Sequence, residues 1–144
     1  MSETMDPERA QAMKALFENA PFGKKVGIEG VLFEPGRAVL RMPFQPENTT
    51  IADVVHGGAI LALADMTATA AAWTRIQEPA KHRGTTADLS LNFISAGRSQ
   101  ALSADARIIK QGRSLTYLEV TVFDEAEEIV AKSLVTYKLS RVAG

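Results

Sequence analysis

The sequence predicts an α+β domain in which an antiparallel β-sheet wraps around one long, nearly apolar central helix. Three observations carry that prediction. Residues 54–76, VVHGGAILALADMTATAAAWTRI, are Ala-rich and have almost no polar face, as a helix buried on most sides requires. Two short β-like segments precede this run and four follow it, with apolar residues alternating at the period of two of half-buried strands. The links between the later strands are short and rich in turn residues, which favours antiparallel neighbours. At 144 residues with 46% hydrophobic content, the chain fits one domain with a single core.

Each element follows from its residues. Asp6-Pro7-Glu8 opens a helix, with Pro near its first position and acids in its first turn. Ala10, Met13, Leu16 and Phe17 mark its apolar face, and Pro21 to Gly23 is expected to end it. Residues 1–22 are thus an N-terminal helical segment ahead of a main domain at 23–144. From Val26, KVGIEGVLF and RAVLRM read as two strands divided by the hairpin turn Glu34-Pro35-Gly36. A loop containing Pro43, Pro46 and ENTT leads to the central helix, which Gly57-Gly58 opens and Pro79 stops. Seven alanines between 59 and 73 imply close approach to a neighbouring layer. After a basic loop, KHRG, come the strands TTADLSLNFISA, QALSADARIIK, SLTYLEVTVFD and EIVAKSLVTYKLS. In the first, Ala87, Leu89, Leu91 and Phe93 alternate with polar residues; in the second, Leu102, Ala104, Ala106 and Ile108 share a face. Turns at Gly97-Arg98, Gln111-Gly112-Arg113 and Asp124 to Glu128 predict hairpin pairing of successive strands. This order is the arrangement of the hotdog fold.

Charge and composition narrow the function. The 16 basic and 17 acidic residues nearly cancel, so no global field favours nucleic acid or an anionic membrane, and a small molecule is the expected partner. With no cysteine there is no disulfide, thiolate nucleophile or Cys-based zinc site, and two histidines alone are a poor metal set. Neither a signal peptide nor a membrane span is expected, because MSETMDPERAQAMK has no apolar core and Asp65 interrupts the longest apolar run. A cytoplasmic location is the expectation.

Asp65 raises the chemical question, since a carboxylate is seldom stripped of water without a partner or a task. His56-Gly57-Gly58, with Asp65 nine residues after the histidine in LALAD, is followed by TADLSLNFISAGR and by IIKQGRSLTYLEVTVFD. Together these segments resemble the phenylacetate-pathway (PaaI-type) branch of the hotdog acyl-CoA thioesterases, over roughly Gly23 to Leu139. The resemblance implies hydrolysis of an acyl-CoA thioester to a free acid and CoA, without metal or redox cofactor. It implies Asp65 as nucleophile or general base, the Gly57 N–H on the thioester oxygen, and Thr86 orienting the water or the carboxylate. His56 is expected to shape the turn that aims Gly57, Gly58 beside it is a candidate for substrate binding, and the resemblance implies that the Lys110-Gln111-Gly112-Arg113 turn lies near the nucleotide of CoA. The family forms dimers, often paired into tetramers. Where many members carry Asn or Gln six residues before the histidine, this chain has Thr50, and Asn48 is a substitute only if the loop shifts.

The residues support this chemistry independently. A helix N-terminus offers free N–H groups and partial positive charge to a carbonyl oxygen that becomes an oxyanion. A carboxylate in an apolar wall accepts a proton or attacks carbon more readily than one in water. Gly57 and Asp65 are about 12 Å apart along one helix axis at roughly 1.5 Å per residue, so one carbonyl cannot touch both. Joint action therefore requires Gly57 of a second chain, and a two-fold dimer creates two such sites. A structural Asp65 held in an ion pair is the plainer alternative. Among functions, a hotdog protein that binds acyl-CoA or an aromatic ligand without turnover remains open. A hydratase is disfavoured by the nine-residue spacing of His56 and Asp65. The acyl group is not readable from the sequence.

Overall fold

A computed structural model describes residues 4–142. The helices are α1 (Pro7–Asn19), α2 (Pro21–Val26) and α3 (Gly57–Trp73), and the strands are β1 (Glu29–Glu34), β2 (Arg37–Met42), β3 (His82–Phe93), β4 (Leu102–Gln111), β5 (Leu115–Phe123) and β6 (Ile129–Arg141). The strands form one antiparallel sheet in the order β1-β2-β4-β5-β6-β3, with α3 packed against it. This is the expected hotdog arrangement. Among the described residues no helix is long and apolar enough to cross a membrane.

Small side chains on α3 let the sheet close around it. Ile60, Leu63, Ala64, Thr67, Ala68, Ala70, Ala71 and Ala72 are buried, and they meet Leu40, Leu102, Ala104, Leu118, Val120 and Val130 from the strands. The buried Thr67 hydroxyl donates to the Leu63 carbonyl at 2.6 Å, so it leaves no unpaired polar group in the core. As the sequence suggested, the helix buries most of its faces, and one face stays open. Leu61 is exposed, and Asp65, Met66, Thr69 and Trp73 are only half-buried.

Other expectations are corrected. Pro21 does not end the helical region: Ala20 breaks it, and Pro21 then occupies the first turn of α2, where its missing N–H does no harm. Val26 consequently lies in α2, and β1 starts at Glu29 after Gly27, whose φ of 76° ends the helix. Helix α3 stops at Trp73, well before Pro79. There the Thr74 hydroxyl donates to the Ala71 carbonyl, and Arg9 of α1 donates to the Trp73 and Ile76 carbonyls. A cation at this end also complements the helix dipole. The KHRG segment is not a loop beyond Lys81, because His82, Arg83 and Gly84 already pair with Arg141, Ser140 and Leu139.

The largest correction concerns β3, which is not a hairpin partner of β4. It lies at the far edge beside β6, and the link after it crosses the end of the sheet. That link is held by Ile94 N–H on the Val130 carbonyl, by Val55 N–H on the Gly97 carbonyl, and by a bridge between Val54 and Arg98. The Gly97-Arg98 turn therefore anchors the start of α3. The hairpins β1–β2, β4–β5 and β5–β6 occur as expected. Helix α1 packs on β1 and sends Met13 into the same core, and the boundary at residues 22–23 falls within α2.

Candidate active site

The start of α3 is built for an exposed donor. His56 is the N-cap, with extended backbone (φ −60°, ψ 134°), and its Nδ1 accepts the Gly58 N–H at 2.8 Å. The His56 carbonyl accepts from Ala59 and Ile60, while its own N–H donates to the Asn48 carbonyl at 2.7 Å. These bonds leave the Gly57 N–H without a protein acceptor among the described residues. It opens into a cleft of about 420 Å³ that Thr50, Val55, Phe93 and Ala96 help to line. A Cβ at Gly57 would stand 3.1 Å from the Phe93 ring, so the missing side chain is what brings ring and backbone together.

Asp65 lies two turns further along α3 and faces β3. Its Oδ1 accepts from the Thr86 hydroxyl at 2.6 Å, and it has no ion pair among the described residues. The helix thus supplies the carboxylate and the edge strand fixes one of its oxygens. A bulge at Ala87 shifts the register between Thr86 and Asp88 directly beside this contact.

Tyr137 of β6 completes the polar cluster. It pairs in register with Thr86, and its hydroxyl accepts from the Trp73 indole N–H at 2.9 Å. Burial first, and then the nearby Asp65 charge, push the Tyr137 hydroxyl above its usual titration range, against the opposing pull of hydrogen bonding with Trp73 and Thr69. Gly84 makes room for this hydroxyl, since a Cβ there would fall 2.4 Å from it. In the sequence Tyr137 is hidden, because its alternation with Val135 and Leu139 reads as ordinary core. The lone tryptophan, spaced at four and eight residues from Thr69 and Asp65, was the available signal.

The remaining candidates divide between two ends of the helix. Asn48 turns its side chain away, donating to the Val26 carbonyl at 3.4 Å, while its main chain holds His56; Thr50 lines the cleft. Lys110, Gln111, Gly112 and Arg113 are exposed at the β4–β5 end. Gln111, Gly112 and Arg113 line a cavity of about 180 Å³ with Ile76, His82 and Arg141, beside the C-terminal end of α3. Neither Lys110 nor Arg113 has an ion-pair partner among the described residues, whereas Arg141 pairs with Glu78 at 3.4 Å. Asp65 and Thr86 are therefore in contact within one chain, and Gly57 and the 110–113 turn stand apart from them.

Residues 52–131 match the family described as the thioesterase superfamily. A provisionally named esterase of Saccharolobus solfataricus is 28% identical over 116 residues, covering 81% of this chain and 75% of that protein. Among solved structures, a thioesterase of Haemophilus influenzae superposes with a TM-score of 0.85 at 21% identity, covering 94% of this chain and 92% of the other. The PaaI protein of the E. coli phenylacetic acid degradation operon gives 0.81 at 22% identity, covering 95% and 96%. These two likenesses establish the shared fold.

Proposed function

The chain belongs to the thioesterase superfamily and is by that membership a thioester hydrolase, and from this premise we propose that it cleaves acyl-CoA thioesters with Asp65 as general base. The observation that carries the reading is the Asp65–Thr86 contact, which occupies Oδ1 and leaves Oδ2 without a protein partner among the described residues. Water held at Oδ2 transfers a proton to the carboxylate as its oxygen bonds to the thioester carbon. The carbonyl electrons move onto oxygen, and the Gly57 N–H of a second copy meets the developing charge. Collapse of the tetrahedral intermediate breaks the C–S bond, and the proton on Asp65 passes to sulfur. The products are a carboxylic acid and the CoA thiol.

Two further features support the same reading. Strand β3 is a 12-residue edge strand, and an unpaired edge is a template for a second chain. A two-fold pairing there would set Asp65 of one copy toward Gly57 of the other; pairing of such dimers gives the tetramer. The 110–113 turn, whose Lys110 and Arg113 have no ion-pair partner among the described residues, offers cations to the phosphates of the CoA nucleotide. Release of CoA thiol from a panel of acyl-CoAs, by wild type and by Asp65→Ala, tests the reading. Loss of release in the variant is expected; undiminished release would refute it. Single turnover in ¹⁸O-water separates a general base from a nucleophile, because only the nucleophile leaves label in Asp65.

A further inference from the structure

We propose that Tyr137 is a positioning residue for the hydrolysis: bonded to Trp73, it fixes α3 against β3 and β6 and so keeps the Thr86 hydroxyl on Asp65; this rests on the reading that Asp65 acts as the base. Strand β3 shows why such a support is needed. It has a neighbour on one side only, and the bulge at Ala87 interrupts its pairing directly beside Thr86. Strand β6 is held on both sides, by β5 and β3, and its Tyr137 is the register partner of Thr86 and only 4% exposed. Register partners project from the same face of a sheet. Both side chains accordingly reach α3, Thr86 at Asp65 across 2.6 Å and Tyr137 at Trp73 across 2.9 Å. Asp65 and Trp73 share one stripe of the helix, about 12 Å apart along its axis, so α3 is pinned to the sheet at two points.

Two details fit Tyr137 to that role. An indole N–H can only donate, so the Tyr137 oxygen must accept from it. That leaves the phenolic proton for the Thr69 hydroxyl and the Asp65 carboxylate, its polar neighbours on the same stripe. Burial first, and then the Asp65 charge, hold this proton in place against the pull of Trp73. Gly84 supplies the second detail, two residues before Thr86 on β3. A Cβ there would stand 2.4 Å from the Tyr137 oxygen and 2.5 Å from a ring carbon. A rigid ring tied at its oxygen yields to such a methyl only by leaving Trp73.

A double-mutant cycle tests this, read as steady-state hydrolysis of the panel acyl-CoA with the highest wild-type kcat. The variants are Tyr137→Phe, Thr86→Val, the two combined, Gly84→Ala and Asp65→Ala. Tyr137→Phe keeps the ring and should lower kcat at least about threefold with KM within about twofold, because its effect runs through Asp65 and not through the substrate. Added to Thr86→Val, it should change kcat by less than about 1.5-fold, since the contact it supports is already gone. Gly84→Ala retains tyrosine and tryptophan, displaces the hydroxyl, and should reproduce the loss seen in Tyr137→Phe; it carries the test if Tyr137→Phe does not fold. Wild-type kcat in Tyr137→Phe or Gly84→Ala would overturn the proposal. So would losses that multiply in the combined variant, or a rise in KM without a fall in kcat. In each of those cases an inactive Asp65→Ala leaves the role of Asp65 intact, whereas undiminished release by Asp65→Ala would remove the base and the proposal with it.

Discussion

Thr86 donates its hydroxyl hydrogen to Asp65 Oδ1 across 2.6 Å, tying the middle of the central helix to the edge strand of the sheet. The bond restrains the carboxylate and leaves its second oxygen without a protein partner among the described residues. Asp65→Asn keeps the shape and removes the base, and is expected to lower kcat by about 10²- to 10⁴-fold. Thr86→Val removes only the donor, and a lost hydrogen bond to a charged group corresponds to roughly tenfold or more. Thr86→Ser should recover most of the loss. Steady-state kinetics, with circular dichroism to confirm folding, decide; a Thr86→Val enzyme at wild-type rate would mean the contact is structural only.

The free N–H at Gly57 can be removed with little disturbance. Proline suits the first helical position, and the extended His56 is compatible with a following proline. Gly57→Pro is expected to lower kcat by about 10²- to 10³-fold. Gly57→Ala adds a Cβ against the Phe93 ring but keeps the donor. Because Phe93 is 56% exposed and can yield, Gly57→Ala should lose far less activity. Equal losses in the two variants would assign the effect to crowding rather than to the N–H.

Lys110→Ala and Arg113→Ala should raise KM for acyl-CoA several-fold with little change in kcat, because exposed cation–phosphate contacts bind ground and transition states alike. The effect should weaken at high salt and vanish with a thioester that lacks the nucleotide. A persistent effect on the truncated substrate would place the turn's action elsewhere.

The Arg37–Asp105 pair sets an acid limit on stability. Arg37 Nε and a terminal nitrogen meet the two Asp105 oxygens at 3.1 and 2.9 Å, joining β2 to β4. Burial pushes the Asp105 carboxyl up, but hydrogen bonds and charge from Arg37 and Arg107 together hold it below its ordinary value. A folded-state value below the unfolded one, about 3.9, stabilises above that pH and is lost as pH falls through the folded value. Asp105→Asn should therefore destabilise by about 1 kcal/mol at pH 7, a figure trimmed by the pair's partial exposure. In urea melts the gap to wild type should close below about pH 4; a gap that is constant with pH would exclude the charge as its source.

What the sequence made legible was local. The Ala-rich period of α3 and the alternation of Leu102, Ala104 and Ala106 are set by neighbours within a few residues; both elements form, and α3 starts at Gly57 as expected although it ends early, at Trp73. Strand β3 forms near its expected residues but pairs with β6 rather than β4, because pairing is not local. His82 to Gly84 carry no alternation and become strand only because Leu139 to Arg141 lie beside them. The Asp65–Thr86 contact spans 21 residues and two elements, and it was anticipated only through the resemblance. Tyr137 escaped notice for the same reason, since nothing near it in sequence marks its hydroxyl as a neighbour of Asp65.

The central claim, that one site is shared between two copies, is tested by subunit complementation. Asp65→Ala and Gly57→Pro chains should each be nearly inactive alone. Co-folded in equal amounts, half of the dimers would be mixed and each would retain one intact site, so activity should return to about a quarter of wild type. No recovery above the two variants alone, with mixed dimers demonstrated by mass, would contradict a site built from Asp65 of one chain and Gly57 of the other.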